Sequence, residues 1–267
     1  MPTALITGAT DGVGRLVAKQ LTAKGFRTLV HGRSRERGES LVREIEKDGG
    51  TATFLQADLA SLAEVRALAS STTAATDRLE LLINNAGIGS TGEKPGRQVS
   101  ADGHELRFAV NYLSGFLLTH LLLPLLKAGA PSRIVNVASA GQKPLDFADV
   151  MLTRAYDGTD AYRQSKLAQI LFTVDLAQEL KGSGVIVNTL HPSTYMNTTM
   201  VRQSGTTPIS TVETGAEAIM QLAVSPALES KSGLYFNVLR ETRANDQAYD
   251  ATARAKLKKL SLELTGL

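Results

Sequence analysis

The chain has 267 residues, 43% of them apolar and 21% charged, with a net charge of +3 and no cysteine. That composition is globular, and it excludes long disorder, disulfides and thiolate chemistry. The mild positive balance comes without a basic stripe or a recognition motif, so nucleic acid is not an expected partner.

The opening segment MPTALITGAT carries no charged leader with an apolar run behind it. No signal peptide is expected, and the location is read as cytoplasmic. From there, short β-rich runs alternate with helical patterns. TALIT precedes GVGRLVAKQLTAKG, FRTLVH precedes SRERGESLVREIEKDG, and TATFLQAD precedes SLAEVRALASSTTAAT. LELLIN then leads into a helical stretch that reaches Leu126, and RIVNVAS ends at Ser139. Short apolar, β-branched runs bounded by Gly, Asp or Ser are the pattern of buried parallel strands. Their alternation with helices predicts an α/β fold, a Rossmann-type doubly wound parallel sheet. Ser61 with Glu64, and Ser210 with Glu213, have capping-box spacing. The apolar stretch FLLTHLLLPLL at 116–126 is too short to span a bilayer and contains His120 and Pro124, so no membrane anchor is expected.

Beyond Ser139 a connection containing Pro144 and Gly158 leads to a helix carrying Tyr162. The strand GVIVNTL, a polar loop from Pro192 to about Ile209, and a helix near 213–224 follow. GLYFNV reads as the last strand and 245–264 as the last helix. With neither linker nor repeat, 1–267 reads as a single domain with a loop region around 192–225 after the sixth strand.

TGATDGVG (7–14) lies between the first strand and the first helix. Gly8, Gly12 and Gly14 allow a tight turn and close approach of the backbone to a pyrophosphate, whose charge the helix N-terminus stabilises. The spacing is not that of an ATPase phosphate loop. At the end of the second strand an NAD-preferring enzyme would carry an acid for the ribose hydroxyls. Here His31 and Gly32 precede Arg33, whose planar fork suits a 2′-phosphate, so NADP(H) is the expected cofactor. Asp11 is a counter-signal, since a carboxylate near the ribose opposes a phosphate.

AYRQSK (161–166) sets Tyr162 and Lys166 on one helix face. That spacing alone is common on solvated helices. Together with TGATDGVG, NNAG (84–87), VNYLSGFLLTHLLLPLLK (from 110), IVNVAS and LELTGL, however, it strongly resembles the short-chain dehydrogenase/reductase family, and within it the retinol-dehydrogenase-like group. The resemblance covers nearly the whole chain. It implies Asn111, Ser139, Tyr162 and Lys166 as the catalytic set. It also implies cofactor contacts at Thr10, Asp11, Val13 and Ser34, at Asp58 and Leu59 near the adenine, and at Asn85, Ala86 and Gly87 beside the ribose. Pro192 and Tyr195 complete that set, with Tyr162 and Lys166. In the loop after the sixth strand the chain departs from its relatives, with Ser193 for a Gly and Asn197 for a Thr; Thr198 is adjacent. The N-terminal anchor of several retinol-active relatives is also missing, which argues against a retinoid substrate.

An ammonium about 5 Å from the phenol, at an effective dielectric near 20, contributes roughly 3 kcal/mol, which lowers the Tyr162 pKa by about 2. Tyr162 would then exchange a proton with a carbonyl or alcohol oxygen, Ser139 would hold that oxygen, and Asn111 would anchor a water behind Lys166. The four histidines show no metal-ligand spacing, so no metal is expected. Ser139 lacks the G-x-S-x-G setting of a hydrolase nucleophile. A cofactor-binding sensor without turnover and an NAD(H)-dependent alcohol dehydrogenase are the rival readings. The expected partner is a small carbonyl or alcohol, moderately apolar, with Arg154 and Arg202 as candidate anion contacts. Pairing through helix faces would give a homodimer or homotetramer.

Overall fold

The computed structural model describes residues 1–90 and 96–267. Among them, eight strands form one sheet: β1 (Thr3–Ile6), β2 (Arg27–Gly32), β3 (Thr51–Gln56), β4 (Leu81–Asn84), β5 (Ser132–Val137), β6 (Val185–His191), β7 (Tyr235–Asn237) and β8 (Arg240–Thr242). Their order is β3-β2-β1-β4-β5-β6-β7-β8. The first seven run parallel, and β8 returns antiparallel to β7. Strand order reverses between β1 and β4, so a crevice opens at their carboxyl ends, where open α/β sheets bind ligands.

Helices α1 (Gly12–Ala23), α2 (Arg35–Lys47), α3 (Leu62–Ala75), α4 (Ser114–Ala128), α5 (Gly158–Glu179), α6 (Thr199–Gln203), α7 (Val212–Val224) and α8 (Ala251–Thr265) cover both faces. One core joins Leu68, Leu117, Leu122, Leu171 and Leu257, from α3, α4, α5 and α8. The other joins Val17, Leu21, Leu41 and Ile219, from α1, α2 and α7. Central strands such as β1 and β4 are buried at every residue, which is why they read as unbroken apolar runs.

Several boundaries differ from expectation for physical reasons. Ser61 caps α3 by accepting from Glu64 N (3.3 Å), but the Glu64 carboxylate accepts from Asp58 N (2.6 Å) instead of closing the box. Ser210 does not cap α7; Thr211 does, and Ser210 instead donates to Thr194 O (2.7 Å). The helical stretch ending near Leu126 starts at Phe108, with a π turn (Phe108–Leu113) running straight into α4. That makes Phe108–Ala128 a 21-residue segment long and apolar enough to cross a membrane, contrary to the sequence estimate. Here 67% of its most apolar window is buried inside the fold. Leu117, Leu118, Leu122 and Leu126 are fully buried, each contributing on the order of 2 kcal/mol. Helix α6 and strand β8, each of five residues or fewer, are among the elements the sequence pattern does not reveal.

Candidate active site

The glycine-rich turn is built by exclusion. Gly8 takes φ +65°, and a Cβ there would lie 2.8 Å from Ala86 Cα. A Cβ on Gly14 would lie 2.4 Å from Gly8 O and 2.5 Å from Asn85 Nδ2. Asn85 Nδ2 donates to Thr7 O (2.9 Å) and Gly8 O (3.2 Å), while Thr7 Oγ1 accepts from Asn85 N and Ala86 N (both 3.0 Å). The end of β4 therefore clamps the turn from behind. Asn85 and Ala86, expected beside the ribose, act here as the turn's buttress. Val13 and Leu59 turn their side chains into the core. Asp11 caps α1, accepting from Gly12 N at 2.7 Å. The remaining N–H groups at the helix start have no intrahelical acceptor and suit an anion.

His31, which the sequence offered only as a non-acid, proves to be part of this turn. It is 2% exposed; its Nδ1 accepts from Gly8 N (3.2 Å), and its Nε2 lies 3.1 Å from Ala57 O. The two partners require a neutral ring protonated on Nε2. Burial pushes its pKa down from 6.5 to about 4, against the Ala57 hydrogen bond and the Asp58 charge. His191 is likewise held to about 4 by burial, then by Lys166. Both rings are protonated near pH 5–6 only when the chain unfolds. Their stabilisation is complete above pH 6.5 and is lost as pH falls through 6.5 toward 4, on the order of 3 kcal/mol each. Urea titrations should show the protein losing stability over that window, with His31→Gln losing less. A parent protein equally stable at pH 7 and pH 4.5 would contradict the assignment.

Arg33 is exposed at the end of β2, and Ser34 caps α2 by accepting from Arg37 N (3.3 Å). Arg37, unremarked in the sequence, reaches Asp11 at 3.7 Å. The Asp11 carboxylate, read as opposing a phosphate, thus faces a cation. A Cβ on Gly32 would lie 2.4 Å from Thr10 Cγ2, so Thr10 fills the space an acid there would need. Asp58 Oδ1 accepts from Ala60 N (3.0 Å) and turns the chain after β3.

The four residues of the expected catalytic set meet at the carboxyl ends of β4 and β5. Asn111 sits in the π turn, where a widened helical turn redirects a side chain. Its Oδ1 accepts from Ile88 N (2.8 Å), and its Nδ2 donates to Ile88 O (3.1 Å) and Ser165 Oγ (2.9 Å). Ser165 Oγ donates to Tyr162 O (2.7 Å), tying Asn111 to the catalytic helix α5. Gly87 lies between them: a Cβ there would be 3.3 Å from Asn111 Oδ1 and 3.4 Å from Lys166 Nζ. Ser139 Oγ accepts from Gly141 N (3.0 Å) and its O accepts from Tyr235 OH (3.2 Å).

Lys166 is 5% exposed, and its Nζ donates to Val137 O (2.9 Å) and Gln169 Oε1 (3.0 Å), 5.9 Å from the Tyr162 ring centroid. Burial lowers its pKa to about 7. The Tyr162 phenol is pushed up by burial, an effect opposed by the Ser139 hydroxyl and reinforced by nearby Tyr195. This corrects the expected lowering of the phenol. A full ammonium on Lys166 would lower the phenol, but desolvation acts on both groups and outweighs it.

Pro192 is buried after β6, and Ser193 donates to Ser210 Oγ (2.8 Å), so the Gly-to-Ser departure pins the loop. Asn197 accepts from Arg202 (2.6 Å), while Thr198 faces Gly12, with Cγ2 3.2 Å from a Cβ built there. Arg154 is paired with Asp146 and Asp149 (3.5 and 3.3 Å), whereas Arg202 meets only the neutral oxygens of Asn197 and Thr199 and keeps its charge uncompensated. Tyr195 is exposed at φ +45° beside Tyr162. No cluster able to hold a metal occurs among the described residues.

The family described as short chain dehydrogenase matches residues 2–208. The chain belongs to the short-chain dehydrogenase family. It is thereby an oxidoreductase acting on CH–OH or C=O groups with a nicotinamide nucleotide. Among curated relatives, this short-chain dehydrogenase is 37% identical to human retinol dehydrogenase 11, covering 98% of this chain and 85% of that protein. Pseudomonas aeruginosa RhlG, solved as an NADP active-site complex, is 27% identical with TM-score 0.71, over 89% of this chain and 94% of that one. A 3-ketoacyl-(acyl-carrier-protein) reductase from Brucella melitensis, solved with NADH, is 27% identical with TM-score 0.70, over 89% and 96%.

Proposed function

We propose that the chain is an NADP(H)-dependent reductase or dehydrogenase that interconverts a moderately apolar aldehyde or ketone with its primary or secondary alcohol. The observation that carries this reading is the convergence of Ser139, Tyr162, Lys166 and Asn111 beside the Gly8 turn. The fit to a dinucleotide rests on that turn. Gly8 and Gly14 permit close approach, the α1 N-terminus offers N–H groups, and Arg33 lies exposed at the end of β2. Gly32 and Thr10 favour NADP(H) over NAD(H), because no acid can occupy the ribose-acceptor position without displacing Thr10.

The nicotinamide supplies or takes the hydride at the reacting carbon. Tyr162, neutral because burial raises its pKa, donates its phenolic proton to the carbonyl oxygen in reduction, and its phenolate recovers a proton from the alcohol in oxidation. Ser139, its hydroxyl against that phenol, holds the substrate oxygen. Lys166 stabilises the phenolate, and the Asn111–Ser165 bonds fix the helix that carries both. The exposed side chains of Tyr195, Met200 and Ile209 between β6 and α7 supply an apolar wall for the substrate. We place the enzyme in the cytoplasm, with the apolar helix α4 buried in its own fold.

The test is cofactor consumption with NADPH and NADH across aldehydes and ketones, retinal included. NADPH should be preferred, and Arg33→Ala should weaken NADPH binding about 10–100-fold, the scale of one charge-assisted contact, with NADH little changed. NADH preferred by the parent would overturn the cofactor assignment. NADPH bound with no turnover on any substrate would favour the sensor reading.

A further inference from the structure

Beside Asn111, residues of α4, α5, the π turn and the end of β4 line a cavity of about 10 Å³, together with Thr7, Leu59 and Ala86. Asn84, Asn111, Ser114, Gly115 and Gln169 are among its walls. The volume is that of a single water, which stays in a protein interior only with two or more polar partners.

Asn84 supplies one. It is 4% exposed, and its Oδ1 has no hydrogen-bond partner among the described residues. Its Nδ2 already donates to Thr119 Oγ1 (3.0 Å) and Asn136 Oδ1 (2.9 Å), so turning the amide over would set oxygen against oxygen at Asn136. A buried carbonyl left unpaired costs about 1–3 kcal/mol.

The bonds leading away from Asn84 almost close on themselves. Asn136 Nδ2 donates to Thr173 Oγ1 (2.8 Å), and Thr173 Oγ1 donates to Gln169 O (2.8 Å). The Gln169 side chain, 4% exposed, accepts from Lys166 Nζ and returns to the same cavity. Among the described residues Asn84 Oδ1 is left unpaired, and Asn84 and Gln169 both line the cavity.

We propose that this cavity holds one buried water that donates to Asn84 Oδ1 and accepts from Gln169 Nε2, and that Gln169, so fixed, is a positioning residue for Lys166. Its effect on turnover rests on the function proposed above; the water and the bond to Lys166 do not. Lys166 has one side-chain acceptor among the described residues, Gln169, and an acceptor favours the ammonium. The other titratable groups that face Lys166 are Tyr162 on its own helix and neutral His191 at the end of β6. No carboxylate among the described residues pairs with it. Because burial brings the amine to about 7, a small change at Gln169 switches its charge near neutral pH.

The test is an NMR titration of ¹³C-labelled lysines, with Lys166 assigned by its loss in Lys166→Arg; it needs neither substrate nor cofactor. Gln169→Glu should raise the Lys166 midpoint by about one pH unit or more, and Gln169→Leu should lower it. In an active enzyme the pH profile of turnover should move in the same two directions. Gly115→Ala provides a variant that does not touch Lys166. Its Cβ would sit 3.5 Å from Asn84 Cγ and 3.7 Å from Oδ1, ordinary contact distances, and would fill the water's place. It should lower both the melting temperature and the Lys166 midpoint, although Ala favours a helix over Gly. A high-resolution crystal structure should show the water in the parent protein and not in Gly115→Ala. One midpoint shared by parent and Gln169 variants, an empty cavity, or a Gly115→Ala protein with raised melting temperature and unmoved midpoint would each overturn the proposal.

Discussion

Tyr162→Phe should lower kcat by about 10²–10⁴-fold, the contribution of a positioned general acid, while NADPH binds as it does to the parent protein. The expectation follows from where the phenol sits. Its ring packs on α5 above Lys166 and faces Ser139, and the change removes one hydroxyl and leaves the packing. Ser139→Ala should act on the same step, but less, because a water can still hydrogen-bond the substrate oxygen. Single-turnover kinetics at saturating NADPH, beside calorimetric cofactor titration, separates chemistry from binding. A Tyr162→Phe enzyme with parental kcat would remove Tyr162 from the reaction and with it the role given to Lys166.

Gly14→Ala should have the largest effect on cofactor binding, a loss of about 100-fold or more, with a lower melting temperature. The new methyl would lie 2.4 Å from Gly8 O, which is backbone, and 2.5 Å from Asn85 Nδ2, a side-chain amide held by its bonds to Thr7 O and Gly8 O. Both belong to a turn held by His31, Thr7 and Asn85, so the backbone must move and carries the Gly8 N–H with it. Overpacking of this kind costs about 1–3 kcal/mol in stability, and the displaced loop no longer matches a pyrophosphate. Calorimetry with NADPH reads the first effect and thermal unfolding the second. Parental affinity in Gly14→Ala would mean that the groove does not bind the dinucleotide against this turn.

Much of this was legible in the sequence because it is carried by local pattern. Buried parallel strands carry short runs of apolar and β-branched residues, so β1, β2, β4, β5 and β6 stand out. The glycine turn is contiguous, and Tyr162 and Lys166 are one helical turn apart. What escaped was set by contacts between distant segments. His31 reads as a strand residue until Gly8 and Ala57 surround it, and Gln169 reads as a helix polar residue until packing of the helix into the core buries it. Asn84 and Asn136 become neighbours only through the pairing of β4 with β5. The phenol was misjudged because burial is a property of the whole fold, and a charge-to-charge distance omits it. Strand β8 was invisible for another reason: three exposed residues, Arg240–Thr242, carry no apolar signal and serve to close an edge.

The widened turn at Phe108–Leu113 also determines which changes the gene can tolerate. Core residues on its two flanks accept apolar replacements of similar volume, since their packing depends on size. Chain length there is another matter. One residue fewer would restore the ordinary helical repeat, rotating the preceding segment by about 100° relative to α4. Asn111 would swing away from Ile88 even if every side chain kept its identity. In this stretch the site is encoded by a residue count, so a single-codon deletion is more damaging than most substitutions.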